Sequence, residues 1–299
     1  MTSRIIAVGN LKGGTGKSTV AVNLACHLAE HQPSVLLIDA DPQGTASAWL
    51  QGGRAEGTPP SLALAAQPLE RVAGIDVWRD EIGMQRRHYE RIVVDLPPQM
   101  GQAFEAALQI ADLLVVPVTP SAVDLYATAQ ALAVLHRVRR TRAGRPACLL
   151  VPSKVDRRTS LGRDAGGALG RLGCEVGPAL SQRAAHPQAF GTARWIGAHA
   201  PGSDAHAEVC ALVAHIEDQL CRCKAPEDDR PISVPALVAA AVAASVPASA
   251  AAAVQADARS TPATEAEESP GAPARIGGAV LHLVAALFAK LRRAEQASF

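Results

Sequence analysis

The chain has 299 residues, 48% of them hydrophobic and 3% aromatic, with a formal net charge of +1. That length holds one large domain or two small ones, and the apolar content, much of it alanine, excludes a chain disordered throughout. Near-neutral charge excludes a polybasic or polyacidic binder as a whole, although residues up to Lys224 carry 23 basic and 20 acidic groups and the remainder 6 and 8.

Arg4 to Gly9 is a short apolar run closed by glycine and is read as a buried strand. A helix is expected from Lys17 to about His31, with Val20, Leu24 and Leu28 on one face. Ser34–Asp39, Arg91–Asp95, Asp112–Pro117 and Ala147–Pro152 are further buried strands. Helical stretches at Gln102–Ile110 and Ala122–Arg140 lie among them. Strands that are nearly all apolar and alternate with helices predict an α/β fold with a mostly parallel sheet covered on both faces. Ligands of such sheets bind at the carboxyl ends of the strands.

Order is expected to end near residue 223. Residues 224–275 are rich in Ala, Pro, Val and Ser and are read as a disordered linker. Within 276–299, Ile276, Val280, Leu283, Val284, Leu287, Phe288 and Leu291 recur at helical spacing. His282, Lys290, Arg292 and Arg293 gather toward the other side. This predicts an amphipathic basic helix that suits a membrane surface, a partner groove or self-association. No run of 18 residues is apolar enough to be a convincing membrane span, and the N-terminus does not read as a signal peptide.

The six cysteines are Cys26, Cys148, Cys174, Cys210, Cys221 and Cys223, and none forms a Cys-x-x-Cys pair or a zinc-type spacing. They are read as reduced thiols. His186 and His199 show no metal spacing. Trp49, Trp78 and Trp195 are read as packing residues.

The chemistry concentrates in Gly9-Asn-Leu-Lys-Gly-Gly-Thr-Gly-Lys-Ser-Thr19, which follows a predicted strand and opens a predicted helix. That context is the one a phosphate-binding P-loop needs. Gly13, Gly14, Thr15 and Gly16 turn backbone N–H groups inward as an anion cradle, and the helix N-terminus adds partial positive charge. Lys17 is placed to reach the β- and γ-phosphates, Ser18 to coordinate Mg2+, and Thr19 to complete the loop.

Lys12 departs from an ordinary P-loop. The string Lys12–Thr19 resembles the deviant Walker A motif of the ParA/MinD family. The resemblance implies an ATP-dependent homodimer in which Lys12 of each subunit reaches the other's phosphates, making Lys12, Lys17 and Asp41 the catalytic candidates. Leu-Leu-Ile-Asp39-Ala-Asp41 resembles the family's switch I. It implies that Asp41 positions the attacking water and Asp39 supports the Mg2+ shell, whereas a helix N-cap is the plain alternative for either carboxylate. Ile-Val-Val-Asp95-Leu-Pro-Pro resembles Walker B, with Asp95 bound to Mg2+ through water. Val-Pro-Val-Thr-Pro-Ser-Ala-Val-Asp124-Leu, together with Leu-Ser-Gln-Arg183 and the later Phe190-Gly191, resembles small partition ATPases of the ParF type. The likeness covers about residues 3–220 and implies a three-layer P-loop NTPase domain over 1–223.

Ser153-Lys154-Val155-Asp156 faintly resembles the Asn-Lys-x-Asp by which GTPases read guanine, with Ser in place of Asn. Ser153 and Lys154 are expected near the base, and the family resemblance favours ATP. A cluster-bearing iron protein is excluded because no cysteine lies near Asp95. An ATP-driven ligase would need its own acid/base constellation, and none is visible.

Residues 137–163 hold nine Arg or Lys and one acid. Arg137, Arg139, Arg140, Arg142, Arg157, Arg158 and Arg163 are therefore candidates for binding non-specific DNA through its phosphates. The plain alternative is a solvated helix end whose cations offset the dipole. The expectation is a slow ATPase that an activating partner protein stimulates, bacterial, cytoplasmic and nucleoid-associated, which positions or segregates a cargo. The alternative is a MinD-like regulator docked to a membrane through 276–293 or to a partner.

Overall fold

In a computed structural model of the chain, residues 3–52, 57–69, 72–99 and 101–222 are described. The expected linker 224–275 and terminal helix 276–299 lie outside them.

The sheet is built from β1 (Arg4–Val8), β2 (Val35–Asp39), β3 (Leu62–Ala66), β4 (Arg91–Asp95), β5 (Leu113–Val118), β6 (Ala147–Pro152) and β7 (Glu175–Val176). Its order is β3-β2-β4-β1-β5-β6-β7, and every pairing is parallel. The connecting segments contain α1 (Lys17–His31), α2 (Thr45–Gly52), α3 (Ile75–Met84), α4 (Gln102–Ile110) and α5 (Ala122–Thr141). After β6 come α6 (Ser160–Arg163), α7 (Ala165–Gly170), α8 (Ala185–Gly191), α9 (Ile196–His199) and α10 (Asp204–Arg222).

The five strands expected from their apolar runs form, each within a residue or two of its expected bounds. Apart from the half-buried Arg4 and Arg91 at their starts, they are buried because helices cover both faces of a parallel sheet. On one face Val20, Leu24 and Leu28 of α1 and Leu212, Val213 and Ile216 of α10 pack over Ile6, Val8, Leu37, Val93, Val115 and Leu149. On the other, α3, α4 and α5 lie side by side, burying Trp78, Phe104, Leu108 and Leu132. This is the expected three-layer architecture.

Two strands escaped the sequence reading. Both are edges: β3 is an alanine-leucine run without β-branched residues, and β7 has two residues. Short edge strands carry little of the pattern by which strands are recognised.

The topology fixes where a ligand can bind. From β1 the chain moves to β2 on one side, and from β5 it moves to β6 on the other. Between these adjacent strands the connections diverge and leave a crevice at their carboxyl ends. The Gly9–Gly16 loop leaves β1 at that point.

Candidate functional site: the loop after strand one and its neighbours

The loop folds as its glycines dictate. Gly14 (φ 78°) and Gly16 (φ 94°) occupy the left-handed region, where a side chain is strained. A Cβ on Gly16 would also come within 2.9 Å of Ser153 Oγ. Gly16 caps α1 without any side-chain hydrogen bond, so the first N–H groups of α1 are not closed off by a capping side chain.

Three lysines surround the loop. Lys17 is 6% exposed, and its Nζ donates to Lys12 O at 3.1 Å. Burial lowers its pKa, opposed by the negative charges of Asp95 and Asp41. Lys154, in a left-handed conformation at φ 53°, donates from Nζ to Gly14 O at 2.7 Å. Lys12 turns the other way, 3.4 Å from Asp124 Oδ1. Asp124 begins α5, where its backbone N–H donates to the capping hydroxyl of Ser121 and its carboxylate accepts from Ser121 and Thr119. Lys12 and Asp124 are far apart in sequence, and only the fold reveals that they pair.

The acids at the strand ends differ in what they hold. Asp39 closes β2, is 1% exposed, and accepts from Asp41 N at 3.2 Å and Ser47 N at 2.7 Å. Its carboxylate thus fastens the turn that carries Asp41 to the first turn of α2. Asp41 is half-buried and accepts from Gln43 N at 2.9 Å. Asp95 closes β4, in register with Asp39, and is completely buried. Neither of its oxygens makes a hydrogen bond of ordinary geometry. Burial pushes its pKa up to about 7, Asp39 and Asp41 push the same way, and the nearby Ser18 hydroxyl and Lys17 oppose the shift. An ionisable group buried without partners is costly. A hydrated divalent cation between Asp95 and Ser18 would remove that cost, so these residues fit Mg2+.

Beside the loop opens a cavity of about 1150 Å³. Gly16, Ser18, Thr19, Ser153, Lys154 and Phe190 are among its lining residues, and its size suits a small organic ligand. Phe190 is 46% exposed and meets Trp49 edge-on, with ring centroids 5.3 Å apart. Trp49 itself is 3% exposed and bonds Arg194 O through its indole N–H, so it packs as expected. The Phe190–Trp49 wall went unread because its two halves lie on separate elements. Asp156, the position that would read guanine in a GTPase, is held by its own neighbour. Arg158 donates to both its oxygens and holds its pKa near 2.

The arginine stretch is corrected most. It is continuous in sequence but divided in space by β6. Arg137, Arg139, Arg140 and Arg142 stand where α5 ends, at the amino edge of the sheet, whereas Arg157, Arg158 and Arg163 follow its carboxyl edge. Six strand residues span roughly 20 Å. Arg139 is 6% exposed and donates to Pro146 O. Arg142 donates to Leu108 O and Ala111 O at the end of α4, where a cation satisfies helix carbonyls. Neither guanidinium is presented to a phosphate backbone. Arg137 pairs with Glu105 at 3.1 Å. Arg140, Arg157 and Arg163 remain exposed.

Residues 6–259 match the family described as the CobQ/CobB/MinD/ParA nucleotide binding domain. The "Maintenance of carboxysome distribution protein A" of Halothiobacillus neapolitanus is 30% identical over 172 residues, 57% of this chain and 76% of that protein. Its Gloeobacter kilaueensis namesake is 44% identical over 123 residues, 41% and 52% of the two. "Chromosome-partitioning ATPase Soj" of Thermus thermophilus is 36% identical over 158 residues, 46% of this chain and 63% of that one. Among solved structures, a Cyanothece McdA–ATP complex superposes with TM-score 0.62 at 17% identity, covering 72% of this chain and 97% of that chain. MinD of Pyrococcus horikoshii with Mg-ADP gives 0.58 at 18%, covering 74% and 98%. The buried lysine on its loop, the orphaned Asp95 and the parallel sheet are thus found in a chain that belongs to the CobQ/CobB/MinD/ParA nucleotide-binding family.

Proposed function

We propose that this chain is a ParA-type ATPase, an ATP-dependent dimerisation switch that positions a cargo on the bacterial nucleoid. Lys12 is the observation that carries the reading. It lies outside the cradle that Lys17 fills, half-exposed, with its ammonium paired to Asp124. Its side chain is 43% exposed while that of Asp124 is 10% exposed, so a partner's phosphates can reach the ammonium from the solvent side. The relatives named for carboxysome distribution and for chromosome partitioning support a cargo-positioning role.

Bound ATP with Mg2+ supplies a phosphoanhydride with an activated leaving group. The chain's residues do the rest. Gly13–Thr19 bind the phosphates through backbone N–H groups and the α1 terminus. Lys17 neutralises the charge that spreads over the transferring group. Ser18 and Asp95 hold the cation, and Asp39 fixes the turn that carries Asp41. Asp41 orients the attacking water, and its turn becomes productive when an activating partner protein orders it. Ser153 and Lys154 border the base.

The experiment is binding of the full chain to non-specific duplex DNA with ATP against ADP, alongside sedimentation for dimerisation. Lys17→Ala is the control. ATP-dependent dimers that bind DNA in a salt-sensitive manner are expected, and Lys17→Ala should abolish both. DNA binding absent with either nucleotide would overturn the nucleoid role and shift the reading to a membrane- or partner-docked regulator.

The split arginine stretch sharpens the DNA surface. The double variant Arg157→Glu, Arg163→Glu should weaken ATP-dependent DNA binding at least roughly tenfold. It should also flatten the dependence of log affinity on log salt by about 2 units. An unchanged slope would clear the carboxyl-edge arginines of the role, and Arg140→Glu tests the amino edge in the same way.

A further inference from the structure

Away from the loop, two helices bring together side chains that the sequence keeps far apart. His27 lies toward the end of α1, and His206 and Cys210 lie one turn apart on α10. Their potential donor atoms all fall within 4.8 Å of one another, and all three residues are half-buried. His27 Nδ1 and Cys210 Sγ are 3.8 Å apart. Zn–N bonds of about 2.0 Å and a Zn–S bond of about 2.3 Å at a tetrahedral angle put these atoms roughly 3.6 Å apart. The His27–Cys210 pair therefore asks for almost no movement, and His206 must turn its ring to close the triad.

The surroundings set the two imidazoles in place. The buried Trp195 packs against both, edge-on to His27 at 6.2 Å and to His206 at 5.6 Å. Gly197 leaves room for that indole, since a Cβ there would sit 2.1 Å from the ring. His206 Nδ1 accepts a long 3.2 Å bond from Gly202 N, a weak hydrogen bond that the ring gives up if it turns Nδ1 toward the metal. On the solvent side, Glu30 and His31 form a second group of donor atoms with His27. That group is separate from the first, so water is left to complete the shell around His27, His206 and Cys210.

We infer that His27, His206 and Cys210 form a binding site for a zinc-class divalent cation, with water completing a tetrahedron. One thiolate and two imidazoles select a borderline-soft metal over Mg2+ or Ca2+. On binding, the Cys210 thiol proton goes to solvent and the sulfur donates its electron pair to the metal.

The site would clip α10 to α1. That matters because α10 also holds part of the cavity wall. Glu208 accepts from Ser181 N and Oγ and pairs with Arg183 at 2.9 Å, and Asp204 pairs with Arg183 at 3.0 Å. His206 and Cys210 alternate with these acids along the same helix. A metal on one side of α10 thus steadies the Ser181–Arg183 segment held by the other.

The test uses the full chain carrying Cys221→Ser and Cys223→Ser, which removes the exposed Cys221 thiol and its neighbour. After treatment with EDTA it is titrated with Co2+. The expected result is about one equivalent bound, with tetrahedral d–d bands and a thiolate-to-cobalt charge-transfer band that Zn2+ displaces. Cobalt at Ser18 and Asp95 has oxygen ligands and gives no thiolate band, so the two sites are told apart. Cys210→Ser should lose the band with an unchanged circular dichroism spectrum. His206→Gln should weaken binding by at least the roughly tenfold that lost outer-shell partners cost. Zn2+ should raise the unfolding temperature of the parent and not of Cys210→Ser. No thiolate band in the parent, or a band that persists in Cys210→Ser, would overturn the assignment.

Discussion

Asp95→Asn is expected to make the protein more stable without nucleotide and nearly blind to Mg2+ with it. The reason is the cost of a completely buried carboxylate with no hydrogen bond of ordinary geometry. Its folded pKa is raised from 3.8 to about 7. The folded chain therefore holds a proton that the unfolded chain surrenders. The resulting penalty is absent below pH 3.8, grows as pH rises, and is complete above about 7. An amide at this position removes the charge but still leaves polar atoms buried, so the net gain at pH 8 is on the order of 2 kcal/mol. In exchange the variant loses a cation ligand. A ligand at one hundred times its dissociation constant stabilises a fold by about 2.7 kcal/mol, and the part of that response due to Mg2+ should vanish. Thermal unfolding at pH 8 with and without Mg-ATP reads both effects. A variant that unfolds earlier than the parent without nucleotide would contradict the account of Asp95.

Asp112→Ala is expected to act in the opposite sense, costing about 3 kcal/mol of stability while leaving the nucleotide affinity of the folded chain unchanged. Asp112 precedes β5 at the amino edge of the sheet, away from the loop, and is 6% exposed. Its carboxylate accepts from Ile5 N at 2.8 Å and from Arg86 at 2.8 Å, with Arg4 at 3.6 Å and Arg145 at 3.8 Å. Arg86 spans onward to Ser3 O and Ile110 O. Removing one carboxylate strands a buried amide of β1 and a group of cations. The urea midpoint should fall, and titration of nucleotide into the folded variant should match the parent. A midpoint within the equivalent of 1 kcal/mol of the parent, on the order of a surface substitution, would show that solvent replaces these bonds without loss.

What could be read from the sequence follows from how local each signal is. The strands β1, β2, β4, β5 and β6 announce themselves because burial on both faces makes nearly every residue apolar, apart from Arg4, Asp39, Arg91 and Asp95 at the ends. The loop is legible because its glycines, Lys17 and Ser18 are contiguous and must be. The tie between Asp156 and Arg158 spans two residues and could have been inferred. Other features depend on distance in space. Lys12 meets Asp124, and His27 meets Cys210 across 183 residues. The arginine run misleads for the same reason in reverse, since β6 carries one half away from the other. Arg139 and Arg142 have gone to backbone carbonyls, which composition alone cannot show.

The position of β1 has a consequence for how the protein is made. It precedes every other strand of the sheet along the chain, yet its two neighbours are β4 and β5. Until residue 95 emerges the strand has no partner, and until residue 118 it has only one. Gly9 N donates to Val115 O at 3.0 Å, so even the base of the phosphate loop is anchored late. Parallel pairing over such separations is slow, because the chain closes long loops before contacts repay them. An apolar strand therefore waits exposed during synthesis, in the period when aggregation competes with folding. Nucleotide cannot rescue the early nascent chain, because Asp95 at the end of β4 and the Ser153–Lys154 wall after β6, which complete the site around the loop, are not yet translated.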